Sequence, residues 1–250
     1  PLGAALGWQG EGEVSLARQL LGKQALPSDG LLLGDRLFGS PWLVWELRNS
    51  DAEWLLRVKS NLKVVRGKRL EDGSRLVDIP VIDPASRRKL GTIRAREIFA
   101  EIRTAKGGKP MKLRFWTSLT DASKHPAREL VELYARRWEE ELFFRELKSH
   151  LHGRGNLLDA QTPDTAAQEV LSMLLAAALV ASQRSAVAQV AGVEVLRVSF
   201  AQVREQTLAL CQVFELGHDL IAPAQRAEWT RRLLKQLAST ALSQKRKPRS

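Results

Sequence analysis

The fold and the interpretation of this chain depend most on the stretch Tyr134-Ala135-Arg136-Arg137-Trp138-Glu139-Glu140-Glu141-Leu142-Phe143-Phe144-Arg145-Glu146-Leu147-Lys148. The pattern predicts one long helix over residues 126–151, with Pro126 near its start and two glycines, Gly153 and Gly155, just beyond its end. At about 100° per residue, Tyr134, Arg137, Glu141 and Lys148 project within about 60° of one another. One helix face would therefore carry a phenol, a carboxylate and two cations.

Two interpretations of this face are open. An ordinary amphipathic helix would use the same residues structurally, for example in an ion pair of Arg137 with Glu141. A site would instead hold a metal ion on Glu141 while Arg137 and Lys148 bind phosphates. The tyrosine, and the two cations placed around one acid, favour the site.

The spacing of Tyr134, Arg137, Glu141 and Lys148 resembles the Y-R-E-K signature of IS4-type insertion-sequence transposases, which are DDE transposases. Upstream, the stretch Leu31-Leu32-Leu33-Gly34-Asp35-Arg36-Leu37-Phe38 resembles the strand of that family that ends in its second catalytic aspartate. The segment Leu55-Leu56-Arg57-Val58-Lys59-Ser60-Asn61-Leu62-Lys63 is similar to the family's entry into an inserted β subdomain.

The resemblance implies an α/β fold with a ribonuclease H-like catalytic core, interrupted by a basic antiparallel β insertion and followed by C-terminal helices. Three carboxylates of the family hold two divalent ions, normally Mg²⁺, for which Mn²⁺ substitutes. Asp35 and Glu141 would be two of these catalytic metal ligands, although a lone Asp after a strand is more often a turn or cap residue. Tyr134, Arg137 and Lys148 would bind the DNA end.

The implied reaction is cut-and-paste transposition: phosphodiester cleavage at the element ends, by way of a hairpin intermediate in relatives with this signature, and strand transfer into target DNA. The partners would be double-stranded DNA and, in the synaptic complex, a second copy of the chain. We expect no membrane partner, no small-molecule substrate, and a bacterial cytoplasmic, nucleoid-associated protein. The single cysteine excludes a disulfide within the chain.

Residues 54–114 alternate apolar and polar residues, as antiparallel strands do. They hold 17 Lys and Arg against 6 Asp and Glu, an excess equal to the net charge of the whole chain, +11. Such a basic segment favours a nucleic-acid partner. We expect phosphate contacts from Arg57, Lys59, Lys63, Arg66, Lys68 and Arg69, with a solvated charged surface as the alternative. Trp116 would stack on an unpaired base or, as the alternative, pack in the core.

The predicted domains are 1–53, part of the core with the second Asp; 54–116, the basic insertion; 117–160, the core helix with the catalytic Glu; and 161–250, a helical region with a basic tail. Helices are expected at 163–191, 199–213 and 223–242. The apolar run Val170–Ala181 is shorter than the roughly 20 residues of a membrane span, which predicts a buried core helix.

One element of the family pattern has no counterpart. Upstream of Asp35 the only other aspartate is Asp29, inside a Pro-Ser-Asp-Gly turn, and we do not assign it as the first catalytic aspartate. We expect that ligand to lie further upstream or to be lost, so that these 250 residues alone cleave little or no DNA. A non-catalytic DNA-binding remnant, another ribonuclease H-like nuclease, and a basic helical interaction protein remain alternatives.

Overall fold

The computed structural model describes residues 5, 7, 10–23, 26–83, 85–102, 110–137 and 160–241. The chain divides into two compact units, one within residues 2–139 and one within residues 140–250. The first unit contains α1 (Glu13–Lys23), β1 (Leu31–Gly34), α2 (Pro41–Leu47), β2 (Glu53–Arg57), β3 (Val65–Arg69), β4 (Arg75–Ile82), β5 (Lys89–Ile102), β6 (Met111–Thr117) and α3 (Ala127–Ala135).

The six strands form one mixed sheet in the order β1-β2-β6-β5-β4-β3. β1 and β2 are parallel, with Leu31 opposite Glu53 and Gly34 opposite Leu56, and every other pairing is antiparallel. The domain boundaries predicted at residues 54 and 116 therefore lie inside β2 and β6. The basic segment extends the sheet of the parallel strands, because β6 pairs directly with β2.

Alternation along the strands gives the sheet two apolar faces. On one face, Trp54, Leu56 and Trp116 pack with residues of α2. On the other face, Leu55 and Phe115 pack with residues of α3. Helix α2 begins at two local start signals: the Ser40 hydroxyl accepts a hydrogen bond from the Leu43 N–H at 3.2 Å, and Pro41 occupies the first turn.

Helix α3 is shorter than predicted. Its last helical residue is Ala135, and the N–H groups of Arg136 and Arg137 bond back to the carbonyls of Leu133 and Tyr134, both at 3.0 Å. These three-residue steps are the tightened end of a helix. The prediction of one unbroken helix over 126–151 is therefore wrong at residues 136–137. Residues 138–159, with Glu141 and Lys148, lie outside the described part of the chain.

The second unit contains α4 (Pro163–Ala191), a short 3-10 helix (Val195–Arg197), α5 (Phe200–Leu216) and α6 (Pro223–Ala241), close to the predicted helices. Thr162 caps α4 through a reciprocal pair of hydrogen bonds with Thr165, and Gly192 ends it at φ 65°. The three α-helices share an apolar cluster that includes Val187, Phe200 and Leu237.

Helix α4 is not the buried core helix that the apolar run predicts. Leu175 is 72% exposed, and Leu171 and Leu179 are each about half exposed. The helix has 29 residues and, by length and composition, is long and apolar enough to cross a membrane. The length argument from the run Val170–Ala181 therefore fails, because alanines and other small residues extend the apolar helix beyond it. Core helices of soluble proteins meet the same criterion, so this feature does not place α4 in a membrane.

Candidate active site at the carboxyl end of the parallel strands

Asp35 directly follows β1, and its position is fixed by a compact turn. Its Oδ1 accepts a hydrogen bond from the Leu37 N–H at 2.7 Å, and its carbonyl accepts one from the Gly39 N–H at 3.0 Å. The turn rests on the end of β2, where a Cβ on Gly39 would lie 1.9 Å from the Arg57 carbonyl oxygen. Only glycine permits this approach, which brings the turn of Asp35 against Arg57.

Arg57 is the last residue of β2 and lies beside Asp35 in the parallel register that pairs Gly34 with Leu56. Leu33 and Leu55 face α3, and Asp35 and Arg57 each lie two residues further along the chain. The two side chains therefore project from the α3 face of the sheet. Arg57 is half-buried, and its Nη2 lies 4.0 Å from Met111 Sδ.

Tyr134 lies in the last turn of α3, over the same end of the sheet. Its side chain is buried, and its ring meets Phe115, the residue opposite Arg57, edge-on at a centroid distance of 4.7 Å. The guanidinium carbon of Arg137 lies 5.8 Å from the centre of the phenol ring. Phenol, guanidinium and strand ends thus form one group of side chains.

The surroundings of Tyr134 affect the pKa of its phenol. Burial raises the pKa of the phenol above its ordinary value. The positive charges of Arg137 and Arg57 act in the opposite direction, and the negative charge of Asp35 adds to the increase. All three charges are therefore close enough to influence the Tyr134 hydroxyl. The structure brings together four of the residues that the sequence selects.

The other residues expected to contact DNA differ in their exposure to solvent. Lys59 and Lys63 are exposed, as phosphate-binding residues must be. Trp116 is fully buried, and its indole N–H donates to Glu97 Oε1 at 3.2 Å. The expectation that Trp116 stacks on an unpaired base is therefore corrected, since no part of its ring is accessible. Glu141 and Lys148 lie within the stretch that is not described.

Two arginines of the basic segment, which the sequence suggests are surface charges, are buried in the structure. Arg114 donates to Glu97 Oε1 through Nε at 2.7 Å and Nη2 at 2.6 Å. Its Nη1 donates to the carbonyls of three loop residues, Lys59, Ser60 and Leu62. Arg96 is also fully buried. The alternation of the strands was the available signal. Residue 96 shares a face of the sheet with the apolar residue 98, and residue 114 shares a face with the apolar residue 116, so both arginines lie on faces that are buried.

The donor set that is described suits a hard divalent cation only in part. Asp35 offers carboxylate oxygen, the ligand type that Mg²⁺ and Mn²⁺ prefer. Among the residues that the structure describes, no group of three or more His, Cys, Asp and Glu side chains could hold a metal ion. Asp29 is exposed and precedes β1, so it lies at the opposite end of that strand from Asp35. Glu141, four residues after Arg137 in the sequence, lies outside the described residues.

A family model described as "Transposase DDE domain" matches residues 9–179, which include Asp35 and all four signature positions. The chain belongs to the DDE transposases, and within them to the IS4 type. It is 31% identical over 183 residues to a protein of Escherichia coli (strain K12) named "Transposase InsG for insertion sequence element IS4". The aligned region covers 72% of this chain and only 40% of that relative.

Tyr134 is the only tyrosine, so a spectrophotometric titration reports its phenol alone. We expect Asp35→Asn to lower the pKa of Tyr134, because a negative charge that opposes phenolate formation is removed. Arg57→Gln should raise that pKa, because a favourable positive charge is lost. Asp29→Asn, at the other end of β1, is the control and should leave it unchanged. Equal titration curves for all four proteins would contradict the convergence of these side chains.

Proposed function

We propose that this chain supplies active-site residues of a cut-and-paste DNA transposase with a ribonuclease H-like core. The observation that carries the proposal is the grouping of Asp35, Arg57, Tyr134 and Arg137 at the carboxyl end of two parallel strands. Ligands of open α/β sheets bind at this edge. Membership of the DDE transposase family supplies the substrate class, DNA.

Each residue has a role that follows from its chemistry. Asp35 and Glu141 would hold divalent ions, normally Mg²⁺, with Mn²⁺ as a substitute. When bound, such ions activate the attacking oxygen and stabilise the leaving oxygen of an in-line displacement at phosphorus. Arg57 and Arg137 would bind non-bridging oxygens of the cleaved phosphate, which guanidinium groups grip in a bidentate manner.

Tyr134 would act as a neutral hydrogen-bond donor. A phenol with the ordinary pKa of 10.0 already keeps its proton at neutral pH, and burial raises the pKa of Tyr134 further. A phenol donates one hydrogen bond to a phosphate oxygen without adding charge. Lys148, the last residue of the signature, would complete the phosphate contacts at the element end.

Exposed cations next to this site would hold the DNA backbone. Lys59 and Lys63 flank the loop that Arg114 fixes from inside, directly after Arg57. Further from the site, β3 at the opposite edge of the sheet from β1 carries three more exposed cations, Arg66, Lys68 and Arg69. We propose double-stranded DNA as the partner at both element ends and target, with two copies of the protein in the synaptic complex. We propose that the protein is located in the bacterial cytoplasm, associated with the nucleoid.

The test is cleavage by the complete gene product of a plasmid that carries its gene with the flanking DNA. We expect breaks with 3′-hydroxyl ends at the element boundaries in Mg²⁺ or Mn²⁺, and none with chelator. Binding of the flanking DNA without any metal-dependent break would support the alternative of a non-catalytic remnant. Breaks at random positions would favour a different ribonuclease H-like nuclease.

The lysines can be tested through the salt dependence of binding. Replacing Lys59 and Lys63 together with glutamine should reduce the slope of log affinity against log salt by about 2, since each phosphate contact contributes roughly 0.9. Titrations of labelled duplex DNA at several KCl concentrations measure this slope. Lys23→Gln is a matched control, because Lys23 lies near Asp51 at the opposite end of β2. An unchanged slope in the double variant would remove both lysines from the DNA contact.

A further inference from the structure

The turn between β3 and β4 reaches the start of α3. Asp72, in this turn, accepts a hydrogen bond on Oδ2 from the backbone N–H of Ala127 at 2.8 Å. Its Oδ1 accepts from the N–H of Ser74 at 3.2 Å and from the Ser74 hydroxyl at 2.5 Å. Its side chain is only 19% exposed. A residue of the basic segment is thus bonded to the first residue of a distant helix.

Arg96 of β5 holds this turn from inside. Its guanidinium is fully buried and donates to Ser74 Oγ through Nε at 2.8 Å and to Asp72 Oδ2 through Nη2. Its Nη1 donates to the carbonyls of Leu119 and His125, at 3.2 and 2.6 Å. Arg96 therefore joins the turn between β3 and β4 to the segment that leads into α3. These contacts all lie within the first unit.

Helix α3 lacks a local cap, which gives this contact its importance. The residue before the helix is Pro126, and it makes no side-chain capping bond. The first N–H groups of a helix have no partner within the helix, and its amino end carries partial positive charge. The carboxylate of Asp72 satisfies the Ala127 N–H and the charge together. Tyr134 follows about two turns later in the same helix.

We propose that Asp72 and Arg96 are positioning residues that fix α3, and with it Tyr134, beside Asp35 and Arg57. The consequence for DNA cleavage rests on the proposed function, whereas the positioning itself does not. The same turn follows β3, which carries exposed Arg66, Lys68 and Arg69. DNA held on β3 would therefore be connected through Asp72 to the helix that carries the phenol.

The experiment compares Asp72→Ala and Asp72→Asn with Asp83→Asn in the full chain. Asp83 is a matched control, because it makes the same local turn bonds, to the Ala85 N–H at 2.9 Å and the Ser86 hydroxyl at 2.6 Å. The pKa of each of the two turn aspartates lies below the ordinary value. For Asp72, burial raises the pKa, but hydrogen bonds from Ser74 and Ala127 and the charge of Arg96 outweigh it.

Two readouts need neither metal nor DNA. In Asp72→Ala, the pKa of Tyr134 should fall towards 10.0, and exchange of the Ala127 amide hydrogen should accelerate roughly tenfold, as expected for a lost cap. Asp72→Asn keeps an acceptor for the Ala127 N–H and should lie between Asp72→Ala and wild type. Asp83→Asn should match wild type in both measurements.

The proposal is overturned if Asp72→Ala folds and keeps both the wild-type Tyr134 titration and the wild-type amide exchange. If Asp72→Ala does not fold, Asp72→Asn is judged by the same two readouts. In the complete gene product, Asp72→Ala should lower the cleavage rate at saturating DNA and leave DNA affinity within about twofold. Equal losses of affinity and rate would also contradict positioning. If the Tyr134 titration and the Ala127 amide exchange shift but the complete gene product cleaves no DNA, the positioning role is supported and only the proposed cleavage function is rejected.

Discussion

Asp35→Asn should reduce metal-dependent DNA cleavage by the complete gene product about 1000-fold or more. Metal ions contribute several kcal/mol of transition-state stabilisation, and each 1.4 kcal/mol corresponds to a factor of ten in rate. The asparagine keeps the hydrogen bond that Asp35 Oδ1 accepts from the Leu37 N–H, so the turn should survive. The measurement is the single-turnover rate of cleavage at the element boundary, with Mg²⁺ in one series and Mn²⁺ in another.

Two further variants make this result specific. Glu141→Gln should cause a comparable loss and leave DNA binding intact, because the carboxylate and not the DNA-binding cations is changed. Asp29→Asn, at the opposite end of β1, should cleave like wild type. Cleavage by Asp35→Asn at a rate near that of wild type would exclude Asp35 as a metal ligand. The same result for Glu141→Gln would exclude Glu141.

The second large effect concerns stability. Arg114→Met should lower the free energy of unfolding by about 3–5 kcal/mol, because the buried charge of Glu97 then keeps only the 3.9 Å contact with Arg75 Nε and the hydrogen bond from Trp116. Glu97 is 1% exposed and bonds Arg114 through two nitrogens, at 2.7 and 2.6 Å. The substitution also removes the donor that the carbonyls of the Lys59–Leu62 loop share. Urea denaturation of the full chain at neutral pH measures the change.

Arg94→Met, on the neighbouring strand β5, is the matched control. Arg94 forms an ion pair with Asp78 at 2.7 Å, but the Arg94 side chain is 58% exposed. Exposed pairs contribute at most about 1 kcal/mol, so this variant should unfold close to wild type. Adding Glu97→Gln to Arg114→Met should recover part of the stability, because the poorly compensated buried charge disappears. Equal destabilisation by Arg94→Met and Arg114→Met would show that burial does not govern these pairs.

The sequence predicted elements wherever a local signal and the packing agree. The apolar run before Asp35 is a strand, and α4, α5 and α6 lie close to the helices expected at 163–191, 199–213 and 223–242. Family membership also followed from residue spacing, and the comparisons confirm it. Such features depend on side chains that are close together along the chain.

One error arose where partners distant in sequence decide the outcome. Trp116 is in the core because β6 pairs with both β2 and β5, which places Glu97 under its indole N–H. The helix that begins at Ala127 ends at Ala135, although its sequence pattern continues to residue 151. The exposed apolar side chains of α4 likewise contradict a prediction based on composition.

By itself, then, the amino-acid sequence determined the family, the strand that Asp35 follows, and most boundaries of the C-terminal helices, because spacing and capping act over a few residues. Only the tertiary structure decided which charged side chains lie inside. Arg96 and Arg114 look like surface cations in the sequence, but cross-strand pairing places Asp72 and Glu97 within reach of them. Charge can be buried only where a partner compensates its desolvation, and that partner is found by folding.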